Sequence, residues 1–277
     1  MSKFITNSEH VRIFSSLTFT FLIGEEKLPQ TIHVAAVKSL SAPLHALISN
    51  GSMSESQTGV ATLEDVDVKT FGLFIEYAYK GDYETPMLAK VNRSTGTDMT
   101  SSGPISKRNR NDIPGLWKVE EAYRNFTNAT GVGNGSLADH IYIGLWESFK
   151  ARTFGAYPAK TPHRPDLLSI AKLYIFATRY LVEPLRQKCL ATLHLILTTP
   201  HLTKNIGPQS ILDLLEFAYL NTGVEPTGDL STKSLLRDLV IHYAASKLLE
   251  LSKYEAFFDL LESNAEMSSD LVKEMVK

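Results

Sequence analysis

Three stretches of sequence decide the fold: TFTFLIG at residues 18–24, TIHVAAVKSLSAPLHALISNG at residues 31–51, and GVATLEDVDVKTFGLFIEYAYKGDY at residues 59–83. In the first stretch Phe19, Phe21 and Ile23 alternate with threonine and leucine, which is the period-two pattern of a half-buried strand. Gly24 and the charged residues after it break this pattern, and residues 31–33 resume it as a partner strand. The stretch therefore predicts a hairpin whose loop is longer than two residues.

The second stretch predicts two short helices. Residues 34–40 carry alanines and favour helix. Ser41 or Ala42 begins the next helix, because Pro43 then lies in the first turn, where its missing N–H costs nothing. Asparagine and glycine at residues 50–51 end this helix.

The third stretch predicts a strand at residues 60–63 and then an amphipathic helix. Asp67 is suited to cap the start of this helix and Gly81 to end it. Four apolar residues follow the spacing of a core-facing helical stripe: Phe71, Phe74, Ile75 and Ala78. Leu73 and Tyr77 form a second apolar face, which either the rest of the chain or a partner covers.

Composition excludes several classes of protein. The chain has 277 residues, of which 43% are hydrophobic and 21% charged, as in ordinary soluble globular proteins. Its formal net charge of −2 gives no field that attracts nucleic acid or anionic lipid. The opening residues lack the apolar run of a secretory signal, and no run approaches the roughly 20 residues that span a bilayer. We expect an intracellular protein, cytoplasmic or nuclear, without a membrane or nucleic-acid partner.

No catalytic or metal-binding motif stands out. The histidines lack the short spacings of a metal site, and neither a hydrolase elbow nor a phosphate-binding loop is present. The glycines of residues 131–135 have no strand before them and no lysine after them. The single cysteine, Cys189, lies in an apolar helical pattern and is expected in the core. We therefore expect no enzyme, no cofactor, no metal and no small-molecule substrate. A deep polar pocket with convergent ionisable groups would favour an enzyme instead.

The middle of the chain differs in composition from both ends. Residues 92–112 contain almost no large apolar side chains and are expected to be a disordered linker. A small basic cluster at residues 107–110 is either a solvated segment or a nuclear-localisation signal. Aromatic residues recur within residues 116–126 and 141–157, which predicts local helices or strands that dock on the domain.

The second half is helical by its apolar spacing. We predict helices at or near residues 170–181, 183–199, 211–221, 235–251, 254–262 and 269–276. Glu183-Pro184 begins the second of these helices and Pro200 ends it.

Many of these residues carry a resemblance to a known family. The shared positions are Phe19, Phe21, His33, Ala35, Ser39, Ser41, Met53, Glu55, Gly59, Leu63, Asp65, Asp67, Phe71, Phe74, Tyr77, Tyr79, Gly81 and Asp82. This pattern resembles a BTB/POZ domain and is especially similar to those of filamentous fungi. Residues 171–194 resemble the helical hairpin that closes such a domain, and residues 235–275 resemble the helical tail of the fungal members.

The resemblance implies a mostly helical α+β fold, in which a small three-stranded sheet packs on a helix cluster and a helical extension follows. The implied organisation has a first part of the domain at residues 11–84, an inserted and partly disordered region at 85–160, closing helices at 161–200, and an extension at 205–277. The implied activity is non-enzymatic protein association with itself or with another BTB protein. Two alternatives are a substrate adaptor of a cullin-type ubiquitin ligase and a nuclear regulatory factor.

Two departures from the family bear on the partner. Homodimeric members carry an Asp before the first strand and an Arg in the second helix, and these positions are held here by Ser16 and His45. Adaptor members carry an apolar-x-Glu motif where this chain has residues 71–73, which end in leucine. Cullin binding is therefore the weaker of the two association hypotheses.

We predict a modest interface on residues 11–19 and on the helices within residues 34–48. The candidate interface residues, including the second face of the helix after Asp67, are Val11, Ile13, Phe14, Leu17, Phe19, Val37, Leu40, Leu44, His45, Ile48, Leu73 and Tyr77.

Overall fold

The sheet has three strands. The computed structural model describes residues 7–51, 54–88, 137–223 and 234–276. Within these ranges the strands are β1 (Thr18–Ile23), β2 (Leu28–His33) and β3 (Val60–Leu63). They lie in the order β2-β1-β3, with β2 antiparallel and β3 parallel to β1. The hairpin pairs Ile23 with Leu28, which confirms a loop longer than two residues. The pairing of β3 with β1 confirms the predicted third strand.

Helices surround this sheet and make up most of the described chain. They are α1 (Asn7–Phe14), α2 (Val34–Lys38), α3 (Ala42–Ser49), α4 (Ser54–Thr58), α5 (Val68–Lys80), α6 (Leu137–Lys150), α7 (Leu167–Arg179), α8 (Glu183–Thr198), α9 (Pro200–Asn221), α10 (Leu235–Ser246), α11 (Leu248–Leu251), α12 (Glu255–Ser263) and α13 (Ala265–Val276). The predicted class, mostly helical α+β with a small three-stranded sheet, is therefore confirmed. No helix in the described ranges is both long enough and apolar enough to cross a membrane.

The helix ends predicted from sequence are found in the structure. Ser41 caps α3 by accepting a hydrogen bond from the Leu44 N–H at 3.1 Å. Asp67 caps α5 by accepting from the Thr70 N–H at 2.8 Å. Gly81 ends α5 in the left-handed conformation, at φ 68°, which glycine adopts without steric cost.

Several elements differ from the prediction. Helices α1 and α4 were not predicted, since each has only one to two turns and too few apolar residues to set a period. Strand β2 begins three residues earlier than expected, because the edge strand tolerates Pro29. Helix α9 extends back to Pro200 through a break at Gly207, and the helix predicted at residues 235–251 divides at Lys247 into α10 and α11.

One apolar core joins the early and late parts of the chain. Buried side chains from Ile13 to Met275 belong to a single cluster. Phe71 and Phe74 of α5 pack on Phe176 of α7, with ring centroids 6.0 and 4.9 Å apart. The sheet and the late helices therefore share their packing.

The region predicted as an insertion leaves and returns at one place. The Thr85 N–H donates to the Lys160 carbonyl at 3.0 Å, and the Leu88 N–H donates to the Arg164 carbonyl at 2.8 Å. Residues 89–136 lie outside the described ranges. They include the predicted linker, the basic cluster, the first aromatic segment and the glycine-rich stretch. Helix α6 fits the prediction that the second aromatic segment docks, because its Phe149 is fully buried in the core.

Candidate functional site

An exposed apolar patch lies where α1 leads into β1. Val11, Phe14 and Leu17 are exposed to 69%, 62% and 84% respectively. We call these three residues the α1 edge. Val11 and Phe14 are three residues apart and so lie on neighbouring positions of one side of α1, and Leu17 follows in the turn after the helix.

Local hydrogen bonds fix the α1 edge against the domain. The Ser16 hydroxyl donates to the Ile13 carbonyl at 2.7 Å and accepts from the Ala35 N–H at 3.2 Å. The Val34 N–H donates to the Leu17 carbonyl at 2.9 Å. Ile13 itself is buried in the core. The turn is therefore anchored to the start of α2 while the α1 edge faces outward.

Phe14 lies over a small aromatic cluster. Its ring is edge-on to His33 at 5.5 Å and parallel to Tyr79 at 6.0 Å, and His10 lies 6.2 Å away. The Tyr79 hydroxyl accepts from the His33 backbone N–H at 3.0 Å and is 2.7 Å from His33 Nδ1. His33 is half-buried, and its ring partner is the Tyr79 hydroxyl. The cluster holds the Phe14 ring in place on the surface.

The other candidate interface residues are less accessible than the α1 edge. Leu40 and His45 are half-buried. The remaining seven are buried in this chain's own core: Ile13, Phe19, Val37, Leu44, Ile48, Leu73 and Tyr77. A side chain in the core offers no surface to a partner, so these seven serve packing within the chain.

The second face of α5 is covered by the late helices. Burial, with the nearby Cys189 and Asp82, raises the pKa of Tyr77 to about 12. Cys189 belongs to α8, and α7 packs directly on α5. The sequence left open whether the rest of the chain or a partner covers this face. In the structure the rest of the chain covers it.

Ser16 and His45 each have local partners. Ser16 bonds within the turn described above, while His45 Nδ1 lies 3.4 Å from the hydroxyl of Ser49, one helical turn further along. Within the described residues no hydrogen bond joins Ser16 to His45. Neither residue is the Asp or the Arg that homodimeric BTB/POZ domains carry at these positions.

A cleft of about 420 Å³, lined by both charged and apolar side chains, lies between the loop before α5 and helices α7 and α9. Four of its charged residues form two ion pairs: Lys172 is 3.1 Å from Asp67, and Arg179 contacts Asp65. Burial alone would raise the pKa of Asp67, but the bonds from Thr70 and Lys172 outweigh it and lower that pKa. A lowered pKa is the opposite of what a general base near neutral pH requires.

The cysteine offers no reactive thiol. Cys189 is fully buried, and burial raises its pKa to about 12. The thiolate that reacts with electrophiles or metals is therefore scarce at neutral pH. In the part of the chain that the structure describes, no group of three or more His, Cys, Asp or Glu side chains is placed to hold a metal ion.

Comparisons with known proteins add no assignment. Neither the models of protein families nor the curated proteins contain a match to this sequence.

Sequence reasoning included the α1 edge among its candidates but not its aromatic support. Tyr79 is one of the positions shared with the BTB/POZ pattern, which assigns it no contact with Phe14. Phe14 and His10 are four residues apart, which is a helical spacing, but a helix of two turns gives too short a pattern to recognise.

Proposed function

We propose that this chain is a protein-association module of the BTB/POZ type, which binds itself or another such protein through the α1 edge. The observation that carries the proposal is the exposure of Val11, Phe14 and Leu17 in the anchored segment that leads from α1 into β1. The small three-stranded sheet, packed on helices and joined to them by one core, supports the BTB/POZ assignment.

The α1 edge suits a contact with another protein. Burying an exposed large apolar side chain contributes roughly 1.5–3 kcal/mol. Three such residues can form the centre of an interface. A specific interface buries about 800 Å² on each partner, so it also needs surface around them. Half-buried Leu40 and His45 extend the available surface along α2 and α3. We therefore expect an association of moderate strength.

The test is sedimentation velocity of the full chain over a range of concentrations. The double variant Phe14→Asp with Leu17→Asp places two charges on the α1 edge, so the dissociation constant should rise by at least about tenfold. The wild-type protein should shift from monomer to dimer with concentration. For hetero-association, the same variant should lose a partner of similar fold that co-purifies with the wild-type protein.

Leu220→Asp is the matched control, because Leu220 is 72% exposed on α9 and belongs to another surface. It should leave the association unchanged. A wild-type protein that stays monomeric at high concentration and captures no partner through the α1 edge would overturn the proposal. Equal loss in the control and the double variant would also overturn it.

A further inference from the structure

A second surface lies on the late helices. A groove of about 640 Å³ opens between α6, the junction of α8 and α9, and α10–α11. We call it the Trp146 groove. Its floor is apolar and mostly buried, and its residues include Trp146, Leu197, Ile211, Tyr243 and Leu251.

The break in α9 forms one wall of this groove. Gly207 has φ 78° and ψ 168°, which is outside the helical region and accessible mainly to glycine. Pro208 follows and has no N–H, so it cannot donate to the Lys204 carbonyl as a helical residue would. The chain therefore departs from helical geometry at residues 207 and 208. Both residues line the groove.

The rim of the groove is basic. Its lining contains three lysines, Lys204, Lys247 and Lys253, and one carboxylate, Glu250. Lys247 is already engaged: its Nζ lies 4.3 Å from the centre of the Trp146 ring and 3.1 Å from Glu250. Lys204 and Lys253 are exposed, and neither forms an ion pair with any residue in the described ranges. Among the described residues, these two lysines at the aromatic groove therefore have no carboxylate partner, in a protein whose net charge is −2.

We propose that the Trp146 groove binds a short acidic segment of a partner protein that carries a large apolar side chain. The apolar side chain enters the groove beside Trp146 and Tyr254, which is 43% exposed at the rim. Carboxylates on either side of it approach Lys204 and Lys253. Charge complementarity selects this occupant, because a basic or neutral segment gains nothing from Lys204 and Lys253. The groove lies on different elements from the α1 edge and does not depend on it.

The test uses full-length protein and a fluorescein-labelled synthetic peptide of sequence EDELFDE, with binding followed by anisotropy. We expect a dissociation constant in the range of about 1–100 µM, as is usual for a small interface with few anchors. Two matched peptides separate the contributions: KKKLFKK keeps the apolar pair with reversed charge, and EDESSDE keeps the charge without the apolar pair. Both should bind at least about tenfold more weakly, and added salt should weaken EDELFDE further.

Variants locate the binding. Lys204→Glu with Lys253→Glu should weaken EDELFDE by at least about tenfold, and Tyr254→Ser should weaken it by a smaller factor. Lys38→Glu is the charge control, because Lys38 is exposed on α2, away from the groove, and it should change nothing. The chain has two tryptophans, Trp117 and Trp146. In a Trp117→Phe variant only Trp146 remains, and the peptide should shift its fluorescence.

Three outcomes would overturn the proposal. The first is equal binding of the acidic and basic peptides, and the second is binding that survives the double lysine variant. The third is absence of peptide binding while that variant turns an associated protein into a monomer, which would make a second copy the occupant. The double variant of the α1 edge should bind EDELFDE normally, so failure of the association proposal is distinguishable from failure of this one.

Discussion

Asp67 combines two roles in one side chain: it caps α5 and pairs with Lys172. Asp67→Ala removes both and should lower the free energy of unfolding by about 1 kcal/mol, mainly through the lost cap. Asp67→Asn keeps a good cap and loses only a partly exposed ion pair, so it should cost less. Urea denaturation at neutral pH measures the difference, and equal losses in the two variants would contradict the capping role.

The pH dependence of Asp67 follows from its lowered pKa. A depressed carboxyl pKa contributes stability that is complete above the ordinary value of 3.8 and is lost as pH falls through the folded value. The Asn variant should therefore lose less stability than wild type below that pH. This comparison belongs to the same denaturation series.

The residues that sequence predicted well are those whose partners are close along the chain. Caps such as Ser41 and Asp67 bond three residues ahead, so their role is visible in a short window. Tyr79 reaches His33 across 46 residues, and Lys188 lies 3.0 Å from Asp82 in another part of the fold. No local pattern encodes such pairs, so the aromatic cluster under Phe14 was not predicted.

At the scale of the element, α6 is held by two histidines, of which His242 is buried and His194 half-buried. His194 Nε2 lies 2.8 Å from the Phe149 carbonyl and His242 Nε2 lies 3.1 Å from the Leu145 carbonyl, so each ring donates to α6. Burial is the main cause of the lowered pKa of both rings. Arg152 lowers both further, and for His242 the nearby Glu274 opposes it. Both rings are therefore neutral when α6 is docked at neutral pH.

This arrangement predicts acid sensitivity. The unfolded chain takes up protons near pH 6.5 while the folded rings resist them, so stability is complete above that pH and falls as the pH decreases below it. His242→Gln keeps a donor without a titrating ring and should reduce the loss between about pH 7.5 and 5.5. Urea denaturation at the two pH values measures it, with exposed His201→Gln as control. An unchanged pH slope in His242→Gln would contradict the assignment.

The elements themselves were predicted to different degrees. Strand β1 and helix α5 alternate or repeat apolar residues over their whole length, and both were predicted with their ends. Helix α9 was predicted only beyond Pro208, because Gly207 and Pro208 read as a boundary and the residues before them give too short a period. The Trp146 groove was missed for the same reason, since its wall is that break.

At the scale of the molecule, early and late segments meet around Cys189. We call the described residues up to 88 the first block and those from 137 onward the second block. The Tyr83 hydroxyl lies 3.4 Å from Thr192 Oγ1 and 3.7 Å from Cys189 Sγ, so the end of the first block packs against α8. Apolar periodicity predicted that the helices of both blocks bury stripes of apolar side chains. It did not predict which stripes meet, because that depends on the path of the chain between residues 88 and 160.

Cys189 gives a direct measure of this shared core. It is the chain's one cysteine and is fully buried, so a thiol reagent reaches it only when the surrounding packing opens. We expect the free energy of opening, obtained from the rate of reaction with DTNB, to equal the free energy of unfolding in urea. Phe74 lies in α5, far from α8 along the sequence. Phe74→Ala should lower the free energy of unfolding by about 3–5 kcal/mol. The labelling rate should therefore rise by a factor of roughly 10²–10⁴.

Leu220→Ala removes an exposed side chain and should leave the rate within a few-fold of wild type. If Phe74→Ala lowered the stability seen by urea but left the labelling of Cys189 unchanged, the two blocks would open independently. Coupling between them is expected because Phe74 packs on Phe176 of α7, and α7 packs against the helix that carries Cys189. A disturbance in the first block thus reaches the thiol through side chains in direct contact.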